Sequence, residues 1–163
     1  MKTDPLAREL LATWKRHQQI LTYLLQRIPE KHLGATPIDS KGRDVARQFA
    51  HLARVRLGWL HFHATGARPE LPKSKKGERP KKKELQAALK ESGKAVETLL
   101  GRALRKEARV RLFGKSPVRW MGYLIAHESH HRGSILVALR QSGCVLDEKV
   151  TVQGLWGKWI FGK

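Results

Sequence analysis

The sequence predicts an all-α fold, a four-helix bundle with long connections and a short aromatic C-terminal tail. Two observations carry this. Four segments repeat apolar residues at three- and four-residue steps, and no strand-like alternation of useful length appears outside the tail. A chain of 163 residues can bury a core without disulfides, so one domain spanning residues 1–163 is expected.

Helix one covers residues 6–28, where Leu10, Trp14, Leu21, Leu24 and Ile28 share a face. Pro29 and Gly34 break it, and ATPIDSKGR reads as a loop. Helix two runs from about Asp44 to near Ala64, with Val55, Gly58 and Phe62 on one stripe and Trp59 beside it. From Gly66 to Lys83 the chain reads GARPELPKSKKGERPKKK, a proline-containing basic stretch without an apolar period, which predicts a solvated linker. Helix three follows with Leu85, Leu89, Val96, Leu99 and Ala103, weakened by Gly93 and Gly101. Helix four, residues 117–142, has the clearest signals: Ser116 as N-cap, Pro117 at the first helical position and Gly143 as the stop. The tail, CVLDEKVTVQGLWGKWIFGK, is too short for a separate domain.

Lys and Arg number 33 against 14 Asp and Glu, a net charge of +19. Such a field attracts anions, nucleic acid among them, without specifying a site. The single cysteine, Cys144, excludes an intramolecular disulfide and a thiolate zinc cluster, which suits a reducing cytoplasm. No signal-peptide core and no membrane-spanning apolar run is evident, so no membrane role is expected.

Chemistry concentrates in AHESHHRGSIL. His127, Glu128 and His131 spell H-E-x-x-H, the zinc-protease signature. The protease reading also needs a third ligand downstream, and the chain has Val137 where a histidine would stand and only Asp147 and Glu148 beyond. With Trp120 at zero on a helical wheel, His127 falls at about −20° and His131 at about +20°, while Glu128 lies about 80° away. The two imidazoles are thus expected to face inward and Glu128 to point aside. His51, on the stripe of Val55, Gly58 and Phe62, is expected to face the core as well. Three histidines from two helices offer three nitrogen donors and leave positions open for water or substrate. His17, on the helix-one stripe, reads as a pocket-lining group, a fourth ligand or a hydrogen-bonded core histidine. Arg132, about 120° from the stripe, reads as a substrate-carboxylate partner or a solvated residue.

DVARQFAHLARVRLGWL, HESHHRGSILVALRQSG and GLWGKW together resemble the DinB family (DinB/YfiT-like) of metal-binding four-helix bundles. The resemblance implies a metal held by His51, His127 and His131. It also implies a metal-dependent enzyme of the thiol-dependent S-transferase or hydrolase type, acting on a small-molecule substrate with a low-molecular-weight thiol. Homodimers are common in such proteins. Nickel, zinc, iron and copper all accept three imidazoles. The alternative reading is a basic nucleic-acid-binding module without catalysis, motivated by the charge and by RKEARVRLFGK.

Overall fold

A computed structural model describes residues 4–70 and 79–162. The centre of the basic linker, residues 71–78, lies outside the described residues. Four long helices form the body: α1 (Pro5–Arg27), α2 (Val45–Thr65), α3 (Lys82–Leu104) and α4 (Pro117–Gln141). Among the described residues there is no strand. No helix is long and apolar enough to cross a membrane.

Local chemistry sets the ends. Asp4, Asp44 and Ser116 each accept a backbone N–H in the first turn of α1, α2 and α4. Gly66, left-handed at φ 80°, closes α2 by donating to Phe62 O. Lys82 Nζ donates to Gln26 O and Ile28 O at 2.9 and 2.7 Å, supplying donors to carbonyls that the end of α1 leaves open. Lys82 and Lys83, expected at the end of the solvated linker, are thus the first residues of α3, and Arg79 just before them pairs with Asp44 at 3.1 Å.

Two apolar clusters fill the bundle. One gathers Leu21, Leu24, Phe49, Leu52, Leu85, Leu89, Ile135 and Leu139. The other gathers Trp14, Val96, Leu100, Trp120 and Leu124. Their order along the chain gives the topology: α1 and α4 run from the second cluster to the first, α2 and α3 the opposite way. Neighbours α2 and α3 are thus parallel, so their connection must return about 31 Å, the length of a 21-residue helix. This is why the linker is long.

A polar layer lies between the clusters. His17, Arg56, Ser92 and Glu128 are each at most 1% exposed, and each sits in sequence between residues of the two clusters. Trp14 Nε1 donates to Gly93 O at 3.0 Å, and the Arg56 guanidinium lies 5.1 Å from the Trp14 ring centre. At Gly93 a Cβ would press on the Gln18 amide, so its small size admits the Gln18 bond to Leu89 O.

The tail is more ordered than its composition suggests. Residues Lys149–Trp156 form a π-helical turn that leads into α5 (Gly157–Ile160). Gly154 meets the Tyr23 ring of α1 where any side chain would collide, and Lys158 Nζ lies 5.2 Å from the same ring. Trp159 packs beside His17, with ring centres 6.4 Å apart.

Candidate metal centre

The structure brings His51 of α2 together with His127 and His131 of α4. One nitrogen from each lies within 4.8 Å of the others. Ring centres are 5.4 Å apart for His51 and His127, 4.9 Å for His51 and His131, and 4.8 Å for His127 and His131. A four-residue step on α4 stacks His127 and His131 one turn apart, and α2 delivers His51 against them.

The three histidines do not face the core as the helical wheel predicts; each is half-buried. The buried residues of α4 are Trp120, Met121, Leu124, Glu128, Ile135, Ala138 and Leu139. Their mean direction is about 55° from Trp120, so His127, about 75° from that mean, lies outside the buried arc, whereas Glu128, about 25° from it, lies inside; His131, about 35° from it on the side of His127, is within the arc yet only half-buried. Trp120 alone is a biased origin, because it sits at one edge of that face. On α2 the buried residues include Phe49, Leu52, Ala53 and Arg56, and the stripe of His51, Val55, Gly58 and Phe62 lies well round the helix from them. That stripe lines a cleft of about 500 Å³ together with Arg43, Arg54, Trp59, Arg68, Leu112 and Tyr123. A larger groove of about 1010 Å³ is lined by Lys106, Arg109, Arg111 and Lys115 among others and contains none of the three histidines.

The donor set fits a divalent ion. Burial lowers the pKa of His51 and of His131 to about 4, and lowers that of His127. The charge of Arg43 adds to the effect at all three. The imidazoles are thus neutral donors at neutral pH. Gln48, 3% exposed, lies with Oε1 3.2 Å from His131 Nδ1. A carbonyl oxygen only accepts, so Nδ1 carries the proton and Nε2 keeps its lone pair for a ligand. His127 Nδ1 is enclosed without a protein hydrogen-bond partner among the described residues. The Tyr123 ring stacks on His127 at 5.8 Å and 21°.

Glu128 is far from the bystander that its wheel position suggests. Arg56 Nε donates to its Oε1 and Arg56 Nη2 to its Oε2, both at 2.6 Å, and His17 Nε2 donates to Oε2 at 2.7 Å. Burial alone raises a carboxyl pKa. Here the Arg56 charge and the bonds from Arg56 and His17 outweigh it and hold Glu128 down at about 2. Of the readings for His17, the hydrogen-bonded core histidine is the one that the geometry gives: its ring is fully enclosed and bonded to Glu128. Arg132 is half-buried and does not line the cleft; its Nη2 reaches Ser129 Oγ at 3.4 Å.

Sequence reasoning missed Gln48 and Arg56. Arg56 had a readable signal, a charge in phase with Phe49, Leu52 and Ala53, where an arginine implies a buried partner. Gln48 had none, because its role depends on which imidazole α4 brings to it. His63 is also buried, with Nδ1 accepting from Arg111 N at 3.1 Å and its ring packed edge-to-face on Trp120; burial lowers its pKa to about 4. It belongs to the packing at the far end of α2 and not to the histidine cluster.

No curated protein matches the chain. The family model described as the DinB family matches residues 1–148, which contain all four long helices and the three clustered histidines, and the chain therefore belongs to the DinB family.

Proposed function

We propose that the protein is a metal-dependent enzyme acting on a small molecule, of the thiol-dependent S-transferase or hydrolase type, with His51, His127 and His131 holding a divalent ion. The observation that carries this reading is the convergence of three imidazole nitrogens within 4.8 Å, one of them from His51, which lines an open cleft. A structural site closes all its coordination positions with protein, whereas three ligands beside a cleft leave room for a reactant. Membership of the DinB family supports it, since resemblance to that family implies these same three ligands.

What a divalent ion supplies when bound is a lower pKa for a coordinated thiol or water and stabilisation of developing negative charge. The chain's own residues do the rest. Burial keeps the imidazoles unprotonated, Gln48 fixes the tautomer of His131, and Tyr123 packs the face of His127. Arg43, Arg54 and Arg68 make the cleft cationic. Glu128 does not act as a base there, because both of its oxygens are engaged by Arg56 and His17 in the interior. That separates this site from the protease whose motif it shares.

Metal analysis of the purified chain tests the reading. One equivalent of a divalent ion is expected, lost in His51→Ala and in His131→Ala; full occupancy in both variants rejects the site. Thiol consumption by the loaded protein with an electrophile then separates transfer from hydrolysis.

The basic groove gives the nucleic-acid alternative its own observation, four cationic side chains along one depression. Gel shifts over a salt series test it: the reading requires a complex that survives moderate salt and weakens in Lys106→Gln and Arg109→Gln.

A further inference from the structure

The cleft beside the histidines carries information about what enters it. Its walls are apolar and aromatic: Val55, Trp59, Phe62, Leu112 and Tyr123, with Gly58 adding no side chain. Trp59 meets Tyr123 edge-to-face at 5.7 Å and Phe62 likewise at 5.9 Å, so ring faces and edges border the space. At about 500 Å³ it is within the range of small-molecule sites.

Its charged side chains are of one sign. Arg43, Arg54 and Arg68 line it, and no acidic residue does. Among the described residues none of the three arginines forms an ion pair, whereas Arg47, Arg56, Arg79 and Arg105 each have a carboxylate partner. Arg54 follows His51 by three residues on α2, which puts its guanidinium on the same side of the helix. Arg43 lies near enough for its charge to reach all three imidazoles. A guanidinium presents a planar fork that matches a carboxylate, and an apolar wall beside it matches a flat hydrocarbon body.

We propose that this cleft binds small organic carboxylates built on an aromatic or similarly flat apolar frame. Arg43 and Arg54 take the carboxylate, and Trp59, Phe62 and Tyr123 enclose the frame. The proposal rests on the metal-enzyme reading only in making such a molecule the substrate; the binding preference itself comes from the arginines and rings. Leu112, at φ 57° and ψ −158°, has a backbone conformation that is costly for a leucine, and it is 60% exposed at the cleft. The turn thereby presents an apolar side chain to the cleft wall.

Calorimetric titration of the full chain tests this, with naphthoate, naphthamide and acetate as probes, on zinc-loaded and on chelator-treated protein. Naphthoate is expected to bind about tenfold or more tightly than either naphthamide or acetate, as a charge-assisted bond beside apolar contact requires. Arg54→Gln and Arg43→Gln should remove most of the advantage over naphthamide. Arg109→Gln, in the other groove, should leave it intact. Equal binding of naphthoate and naphthamide overturns the proposal, as does an equal loss in Arg109→Gln and Arg54→Gln, which would show general charge attraction. Absence of zinc uptake with the naphthoate preference intact rejects the metal reading and leaves the cleft assignment standing. Zinc uptake without the preference does the reverse.

Discussion

Arg56 and Glu128 form a two-point ion pair, 2.6 Å at each contact, with both side chains essentially excluded from solvent. The pair joins α2 to α4. His17 adds α1, and the Arg56 Nη1 bond to Leu89 O at 3.1 Å adds α3, so every long helix is tied into one layer. Removing one partner strands a buried charge, so Glu128→Gln should cost about 3–5 kcal/mol of unfolding free energy. Replacing both, as in Arg56→Met with Glu128→Met, should cost less than Glu128→Gln alone because no charge is left unpaired. Urea denaturation of chelator-treated protein measures both, and a double variant weaker than the single one contradicts the account.

Gln48 fixes one imidazole without being a ligand. Gln48→Ala should lower metal affinity about 10–100-fold, the usual effect of losing a group that orients a ligand. Competition with a chromophoric chelator gives the number. Gln48→Glu retains an acceptor at His131 and should recover much of the loss; equal affinity of Gln48→Ala and the unaltered chain would refute the orienting role.

Acidity should act in two successive windows. His51, His63 and His131 have folded pKa values of about 4, below the ordinary 6.5, so the unfolded chain binds more protons between those values. Stability of the metal-free protein is therefore complete above about pH 6.5 and falls as pH drops toward 4. Glu128, held at about 2, contributes stability that is complete above its ordinary 4.5 and lost as pH falls toward 2. Thermal melts across pH 3–7 in about half-unit steps should show the first decline before carboxylate protonation begins. A flat profile from 6.5 to 5 rules out the depressed histidines.

Gly154 lets the tail lie against α1. Gly154→Ala drives a methyl group into the Tyr23 ring and should cost about 1–3 kcal/mol, the range of overpacking. The tail should loosen first, with faster amide exchange in residues 149–160 than in α4; uniform exchange throughout would place the strain elsewhere.

Much of this architecture is written in local pattern. Caps at Asp44 and Ser116, the stop at Gly143 and the apolar steps of α1 to α4 are interactions within a few residues of each other, and they put helix ends within a residue or two of those expected. The histidine cluster was legible for a related reason, since spacing puts His127 and His131 on one side of α4. Which side that is was not legible. Helical phase gives angles between residues but not the bearing of the bundle, and Glu128 takes the inner bearing only because Arg56 and His17 meet it there. The tail helix escaped notice because it depends on a distant contact, Gly154 against Tyr23.

Adjacent positions on α4 thus serve separate ends: residue 128 anchors the interior, and residue 127 joins the histidine cluster whose third member, His51, lines the cleft. Arg43, Arg54, Arg68, Tyr123 and Leu112 border that cleft and contribute no bond to the buried layer. The scaffold is accordingly modular within a single helix turn. The charge and shape of its mouth can therefore change while the bundle keeps its cohesion.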